Sequence, residues 1–320
     1  MKQTGTGTPD AGLVVAEYSS RIRPAFMGRK LAPVMMVDRD QGHYDLLQFA
    51  EMQKVVGDIQ HADGAGFAEI VHSLTQDSYK AYDYGLEEPI PNAQKLRNVS
   101  FDTEAVVGQT LMRLVMLKEE IRWATAIFNA TTFTSYKTDV STEWSNVAAS
   151  IIKNVAEARL ALVQQVGGFI DPIENEIVLG VSDKVFANMQ NNTEIKASAP
   201  GGTGSDGTSK QLVSHERMAT ILGIDAVESS SLQWDGADIW DDEYAMLQIR
   251  AKNPSSPLGN PNQVAQLART LVWDKMVDVE EIYEIYEDLK TDSVRARVRQ
   301  YQDEKILNVR AGHLLYNVTA

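Results

Sequence analysis

The residue types that most often carry chemistry are sparse in this chain. It has no cysteine, and its five histidines are not spaced as metal ligands. His215-Glu216 begins like a zinc-protease helix motif, but Ala219 stands where the second histidine belongs. No Gly-x-Ser-x-Gly nucleophile elbow is present. The sequence therefore predicts no catalytic residue, no cofactor and no metal site.

A Gly- and Ser-rich stretch at residues 198–209 could cradle a phosphate, since such turns expose backbone N–H groups. Gly202 and Gly207 have the spacing of a phosphate-binding loop. However, Thr208 follows where that loop requires lysine, and no predicted strand leads directly into it. This stretch is predicted to be an exposed loop without a nucleotide.

The densest acidic cluster could hold calcium through oxygen ligands, but its spacing is not that of an EF-hand. Its members are Asp235, Asp238, Asp241, Asp242 and Glu243. A solvated acidic loop is the favoured interpretation. Trp234 and Trp240 lie beside the cluster and suggest a partly buried contact surface.

The overall charge argues against a protein that coats nucleic acid. The chain has 320 residues, 43% of them hydrophobic, and a net charge of -14. Charge-driven binding to phosphates needs an excess of Lys and Arg, which is the opposite balance. No window approaches the roughly 20 apolar residues of a membrane helix, and residues 1–10 lack the apolar core of a signal peptide. The cytoplasm of the producing cell is the expected compartment, and no membrane contact is expected.

Two basic groupings stand out against this acidic background. Segment 13–30 ends in a cluster of Arg21, Arg23, Arg29 and Lys30. It is either a solvated turn region or an arm that lies on a neighbouring subunit. Its apolar residues are too irregularly spaced to predict a core of their own.

The second grouping lies near the C-terminus, where Val294, Ala296 and Val298 alternate with three arginines. These are Arg295, Arg297 and Arg299. A strand with this alternation has one apolar face and one basic face. The basic face is either a subunit contact or simply exposed to solvent.

One long helix is the clearest element. Asp102 is a good N-cap, and apolar residues then recur at spacings of three and four as far as Phe128. About 25 helical residues would span roughly 37 Å. The apolar positions are Val107, Leu111, Leu114, Val115, Ile121 and Phe128.

Other elements are predicted on both sides of this helix. Before it, Val34–Val37 and 44–49 suit a hairpin, and the prolines of 87–91 should break strand pairing. After it, a second helix is predicted from Trp144 to Val166. A short strand at 176–179 and a helix capped by Ser182 follow. Residues 279–289 fit a helix or a strand equally well.

The order in which several short motifs occur along the chain is informative. They are Asp77-Ser78-Tyr79, Tyr84-Gly85-Leu86, Glu87-Glu88-Pro89, Asn92-Ala93 and Asn175-Glu-Ile-Val-Leu-Gly180. Together with an arm and a hairpin-rich stretch before a long helix, this order resembles the major capsid proteins of tailed bacteriophages. The resemblance implies an α+β, Hong Kong 97-type capsid fold with an N-arm, an E-loop, a P-domain carrying a long spine helix, and an A-domain. It also favours a strand for residues 279–289.

The resemblance implies a domain map: 1–34 N-arm, 35–97 E-loop and flanking strands, 98–165 P-domain with the spine helix, 166–275 A-domain, and 276–320 returning P-domain strands. It further implies a virion shell of pentamers and hexamers, assembled in the host cytoplasm. Such a shell encloses packaged double-stranded DNA without sequence-specific binding. Its other partners are a portal and, in some relatives, scaffolding or decoration proteins.

Some relatives cross-link an E-loop lysine to an asparagine of a neighbouring subunit, and Lys54 is a possible E-loop lysine here. No motif identifies the asparagine partner, so this bond is not predicted. The candidate intersubunit residues are Arg21, Arg23, Arg29, Lys30, Lys54, Arg295, Arg297 and Arg299. Two alternatives stay open at this point. An encapsulin shares the fold but encloses enzymes, and a soluble α/β enzyme would instead show a pocket with convergent polar groups.

Overall fold

The computed structural model has a mixed α and β architecture, as the sequence predicts. It describes residues 2–5, 9–47, 69–71, 73–97, 101–168, 170–198, 213–252, 266–274 and 280–319. The helices are α1 (Pro9–Ile22), α2 (Gly28–Leu31), α3 (Asn92–Arg97), α4 (Thr103–Ile127), α5 (Ile151–Gln165), α6 (Asp183–Asn191), α7 (Thr193–Ser198) and α8 (His215–Leu222). Short 3₁₀ turns lie at Arg23–Ala25 and Val309–Ala311. Within these ranges, no helix combines the length and apolar character needed to cross a membrane.

The strands form two main sheets and two short two-stranded ones. They are β1 (Lys2–Gly5), β2 (Val34–Val37), β3 (Gln41–Leu47), β4 (Leu74–Lys80), β5 (Tyr82–Pro91), β6 (Lys137–Asp139), β7 (Asn175–Ser182), β8 (Ala226–Ser230), β9 (Gln233–Trp234), β10 (Ala237–Asp238), β11 (Tyr244–Ala251), β12 (Ala268–Trp273), β13 (Ile282–Asp288), β14 (Ser293–Ile306) and β15 (Gly312–Tyr316).

The long strand β14 organises the six-stranded sheet. It pairs with β5 along one edge, and along the other edge it pairs first with β13 and then with β12. β1 extends this sheet beside β13, and β2 extends it beside β12, both in parallel. The pairing of β13 with β14 confirms a strand in the region that was ambiguous between helix and strand.

The five-stranded sheet has the order β6-β15-β11-β7-β8. Consecutive residues of β7 and β11 are buried, so both faces of these strands are covered. Ser182 ends β7 and caps α6 by accepting a hydrogen bond from the Val185 N–H at 3.2 Å, which confirms the predicted strand and capped helix. β15 lies in this sheet, whereas β12 lies in the six-stranded one.

The long helix is α4, and we call it the spine helix. Asp102 caps it, accepting hydrogen bonds from the backbone N–H groups of Glu104 and Ala105. Of the predicted apolar positions, Leu111, Val115 and Phe128 are buried, whereas Val107, Leu114 and Ile121 are half-buried. The second helix begins at Ile151 instead of Trp144, because residues 144–148 form turns and bends, with the Trp144 side chain buried.

The N-terminal segment is more buried than the irregular spacing of its apolar residues predicts. Val15, Phe26 and Met27 are buried, as is Leu31 just after them, so segment 13–30 contributes to the core of the subunit. Val15 packs against the spine helix at Gly108, where an added Cβ would lie 2.7 Å from the valine side chain. These apolar residues are spread over α1, a turn and α2. They therefore follow no single helical period, and sequence spacing could not reveal them.

The predicted hairpin between 34–37 and 44–49 is wrong. β2 pairs in parallel with β12, and β3 pairs in antiparallel fashion with β4. The polar turn at 38–40 therefore carries the chain from one sheet to another. The apolar run of β2 gains more burial beside β12 than a two-stranded hairpin could provide.

The expected break in pairing at residues 87–91 is also wrong. β5 continues to Pro91, with Pro89 opposite Arg295 and Pro91 opposite Ser293. Among the described residues, β5 has no partner on its far side. Proline is tolerated at such an edge when its missing N–H would face away from the sheet, and two prolines two residues apart face the same way.

Candidate functional site

The densest polar arrangement is built around one turn of the spine helix. We call Glu119, Glu120, Arg122 and Trp123 the spine hub. Because a helix turns by about 100° per residue, Glu119 and Trp123 lie on the same face, and Glu120 and Arg122 lie on either side of it. Together the four residues contact the N-terminal segment, the loop that carries Trp240, and the six-stranded sheet.

Glu120 joins the N-terminal segment to a loop beside the five-stranded sheet. Its carboxylate accepts hydrogen bonds from the backbone N–H groups of Met27 (2.7 Å) and Gly28 (2.9 Å) and from the Trp240 indole N–H (2.6 Å). Glu120 is only 2% exposed. Burial raises the pKa of Glu120 to about 7, although the three N–H donors act in the opposite direction.

Glu119 holds Arg29 through two parallel hydrogen bonds. The Arg29 Nε lies 2.6 Å from Glu119 Oε1, and Nη2 lies 2.8 Å from Oε2. Arg29 also pairs with Glu280 and Glu281, which precede β13, and Arg23 pairs with the same two residues. Burial lowers the pKa of Arg29, but the surrounding carboxylates outweigh this and raise it above its usual value.

The other two hub residues reach the six-stranded sheet. Arg122 bonds to Glu304 on β14 at 2.8 and 2.5 Å, and its guanidinium lies 3.8 Å from the ring centre of Tyr84 on β5. The Trp123 indole donates to the Thr270 hydroxyl on β12 at 3.2 Å. The spine hub therefore ties together the N-terminal segment and both main sheets.

A cavity of about 270 Å³ lies beside the hub, lined in part by Arg23, Phe26, Arg29, Met116 and Glu119. Its arginines are engaged in ion pairs, Arg29 with Glu119 and Arg23 with Glu281. Buried charges of this kind are stable only when every one of them is partnered. The arrangement is suited to holding segments together. Among the described residues, no three His, Asp or Glu side chains converge as a metal site.

The predicted basic residues of the N-terminal segment fall into two groups. Arg23 and Arg29 belong to the ion-pair network described above, and Lys30 pairs with Glu228 at 3.3 Å. Arg21 is different, because its side chain is 74% exposed and lies 3.7 Å from Glu17 on the same helix. Lys54 lies outside the described residues. An intersubunit role for these residues stays a prediction.

The alternation along β14 is confirmed, with Val294, Ala296 and Val298 buried. Each arginine of the opposite face has acidic neighbours in its own subunit. Arg295 pairs with Glu87 and Asp288, Arg297 with Glu284, and Arg299 with Glu284 and Asp83. The face is thus nearly balanced in charge. A subunit contact there stays a prediction.

Three members of the acidic cluster, Asp241, Asp242 and Glu243, line a cleft of about 750 Å³ beside the five-stranded sheet. Asp242 pairs with Lys184 at 2.6 Å and accepts a hydrogen bond from the Ser182 hydroxyl at 2.6 Å. Trp240 was expected at a partly buried contact surface, but it is buried within the subunit. Its ring packs edge-on against Phe128, with ring centres 4.9 Å apart. The Gly-rich positions 202, 207 and 208 lie outside the described residues.

Sequence reasoning missed the acidic part of the hub, although a signal was present. Glu119 lies within a buried series, Met112, Val115, Glu119 and Trp123, whose members are three or four residues apart. A carboxylate within such a stripe must be buried and therefore needs a partner. The identity of that partner was out of reach, since Arg29 lies 90 positions earlier in the chain.

Comparisons of sequence identify no relative: no protein-family model matches the chain, and no curated protein matches it. Comparison of structures does. A phage-related protein from Bordetella bronchiseptica RB50 matches with a TM-score of 0.68 at 15% identity, over 96% of this chain and 97% of that one.

Two further solved structures match over nearly the whole chain. The capsid of the cyanophage P-SCSP1u has a TM-score of 0.60 at 9% identity, covering 92% of this chain and 88% of that one. A virus-like particle from Pyrococcus furiosus has a TM-score of 0.55 at 13% identity, covering 95% and 97%. At these identities the likeness is one of fold. The chain has the Hong Kong 97-type fold of tailed-phage capsid shell proteins.

Proposed function

We propose that the chain is the major capsid protein of a tailed bacteriophage. The observation that carries this proposal is the fold match to phage structures along almost the full length of both chains. In this proposal, copies form pentamers and hexamers that close into an icosahedral shell around packaged double-stranded DNA. The shell is part of the virion and assembles in the host cytoplasm.

The charge of the chain supports a container. A net charge of -14 gives no basic wall for condensing DNA, and a shell filled by an external motor needs none. DNA is therefore enclosed without sequence-specific contacts. A portal, and scaffolding or decoration proteins where assembly requires them, complete the set of partners.

We retain the domain map of 1–34, 35–97, 98–165, 166–275 and 276–320 as a proposal. The two main sheets support a division into a P-domain and an A-domain. The chain crosses between the two sheets more than once, because β12 joins the six-stranded sheet and β15 joins the five-stranded sheet. Each sheet thus contains strands from both sides of residue 275.

An encapsulin-type compartment is the second candidate, favoured by a fold likeness to the SrpI encapsulin of Synechococcus elongatus PCC 7942, with a TM-score of 0.50 at 9% identity over 90% of this chain and 86% of that one. The two functions differ in what the shell contains. Shells purified from the native source would contain double-stranded DNA in the first case and a cargo enzyme in the second. Nuclease-protected DNA of uniform length would decide for the phage capsid.

The test of shell formation is mass photometry and negative-stain microscopy of the purified full-length chain, with and without co-expressed neighbouring genes. We expect ring-shaped capsomers and closed shells, because rotational assembly joins one surface to a different surface of the neighbour. A protein that stays monomeric or dimeric under all these conditions would contradict the proposal.

A further inference from the structure

The short sheet formed by β3 and β4, which we call the ribbon, is barely attached to the rest of the subunit. Neither strand pairs with any other described strand. Along residues 41–45 and 75–80, Tyr44 is the one buried side chain among those described. An isolated two-stranded ribbon is marginally stable in water at best. The direction in which the ribbon leaves the subunit therefore depends on a few contacts at its base.

The motif Asp77-Ser78-Tyr79 forms part of this base, and its aromatic residue fixes the pairing within the ribbon. Tyr79 lies directly opposite Gly42. A Cβ added at Gly42 would lie 2.8 Å from the tyrosine ring, so the ring rests on the glycine backbone. A slip of one residue would remove this fit and turn every side chain to the other face.

Asp77 connects the ribbon to the long strand β14. Its carboxylate accepts a hydrogen bond from the Tyr44 hydroxyl at 2.9 Å and lies 3.1 Å from the Lys305 ammonium. Tyr44 and Asp77 are cross-strand partners, whereas Lys305 belongs to the six-stranded sheet. One carboxylate thus bridges both ribbon strands and the body of the subunit.

A second bond holds the same corner. The backbone N–H of Lys80, at the end of β4, donates to Asp303 at 3.1 Å. Asp303 and Lys305 lie two residues apart on β14 and so face the same side of the sheet. Partial burial raises the pKa of Asp77, but the hydrogen bonds from Ser78, Tyr44 and Lys305 outweigh it and keep the carboxyl ionised.

We propose that Asp77 is a positioning residue: with Tyr44 and Lys305 it sets the angle at which the ribbon leaves the six-stranded sheet. Its consequence for shell closure rests on the proposed capsid function. The angle itself is a property of the single subunit. Loss of the carboxylate leaves the core intact, because few buried apolar contacts depend on it, but it frees the ribbon to sample several directions.

Pulsed electron resonance distances test the angle. The chain has no cysteine, so spin labels on Asp45→Cys, in the ribbon, and Arg310→Cys, in the body, report one distance distribution. We expect a narrow distribution in the parent and a shifted or broader one in Asp77→Asn, with the thermal melt unchanged. An unaltered distribution in Asp77→Asn would overturn the proposal.

Matched variants separate this contact from general damage. Ser78→Ala, on the same strand, and Lys305→Arg, which keeps the charge, should retain the narrow distribution. Lys305→Met should reproduce the Asp77→Asn effect, and the double variant Asp77→Asn/Lys305→Met should add nothing to it. Independent, additive broadening would show that the two residues do not act through one contact.

Assembly supplies a second readout. If the parent forms closed shells, Asp77→Asn should yield fewer of them and more open or irregular particles, while Ser78→Ala assembles as the parent does. Normal shells from Asp77→Asn would contradict the importance of the angle. If the parent itself forms no shell, the capsid proposal fails, and the distance measurement still decides the role of Asp77.

Discussion

The spine hub and the ribbon differ in how strongly their segments are held by contacts within the subunit. In the hub, Glu119 and Glu120 are almost fully buried and accept hydrogen bonds from two separate segments, the N-terminal segment and the loop that carries Trp240. In the ribbon, most described side chains are exposed, and Asp77 bridges the ribbon to the body through Lys305. The difference indicates that the hub stabilises the folded subunit, whereas the ribbon contributes little to its core.

The energetics of the two regions follow from burial. A buried charge that loses its partner keeps the full cost of desolvation, so damage at the hub should appear as lost stability. Partly exposed ion pairs are worth only about 0 to 1 kcal/mol. Damage at the ribbon should therefore appear as altered geometry and assembly, with little change in the free energy of unfolding.

The largest expected effect is at Arg29. In Arg29→Met, the buried carboxylates of Glu119 and Glu281 lose their main cation. We expect the free energy of unfolding to fall by roughly 3 to 5 kcal/mol, the usual cost of breaking a buried ion pair from one side. Urea denaturation followed by circular dichroism measures it.

The matched control is Lys305→Met, which removes a cation from the ribbon base and should cost no more than about 1 kcal/mol. Equal losses in Arg29→Met and Lys305→Met would erase the distinction between the two regions. A stable Arg29→Met variant would mean that the carboxylates around it take up protons or partners at little cost.

A pH dependence of stability is expected from Glu120. Its pKa is raised by burial from 4.5 to about 7 in the folded chain. The folded state therefore holds a proton that the unfolded state has released between these two values. The resulting stability is fully present below pH 4.5 and is lost as the pH rises through 7, a change of roughly 3 kcal/mol.

Glu120→Gln isolates this contribution, because other groups near the hub also titrate. Burial raises the pKa of Glu281 and of Glu304 as well, and these act in the same direction. The difference in unfolding free energy between parent and Glu120→Gln should thus change between pH 4.5 and 8, as measured by urea denaturation across that range. A constant difference would mean that Glu120 does not titrate there.

Local patterns predicted the elements that are stabilised locally. Asp102 and the apolar spacing after it predicted the spine helix, and Ser182 predicted the start of α6. The pairing of β2 with β12 was not predictable in this way, because the two strands lie more than 200 residues apart and only the tertiary fold brings them together. The pairing of β5 through its prolines was not predictable for a related reason. Whether a strand lies at an edge is decided by the whole sheet and not by the local sequence.

The candidate site was only partly predictable. Composition and spacing identified Arg23, Arg29 and the arginines of β14 as basic groups of interest. Their acidic partners lie far away in sequence, as with Glu280 and Glu281 beside Arg23, so the network could not be foreseen. For the same reason, the sequence could not distinguish the exposed Arg21 from the paired basic residues at positions 23, 29 and 30.

The smallest expected effect is at Arg21, and it sharpens the comparison within a single segment. Arg21 is largely exposed beside an equally exposed Glu17, and surface substitutions of this kind change stability by about 0.5 kcal/mol or less. Arg21→Glu should therefore melt as the parent does. Arg23→Glu, two residues later, places a carboxylate against Glu280 and Glu281 and should melt at a clearly lower temperature. Thermal melts of both variants decide the matter. Equal and small shifts would place Arg23 outside the hub network, leaving both arginines free for a neighbouring subunit.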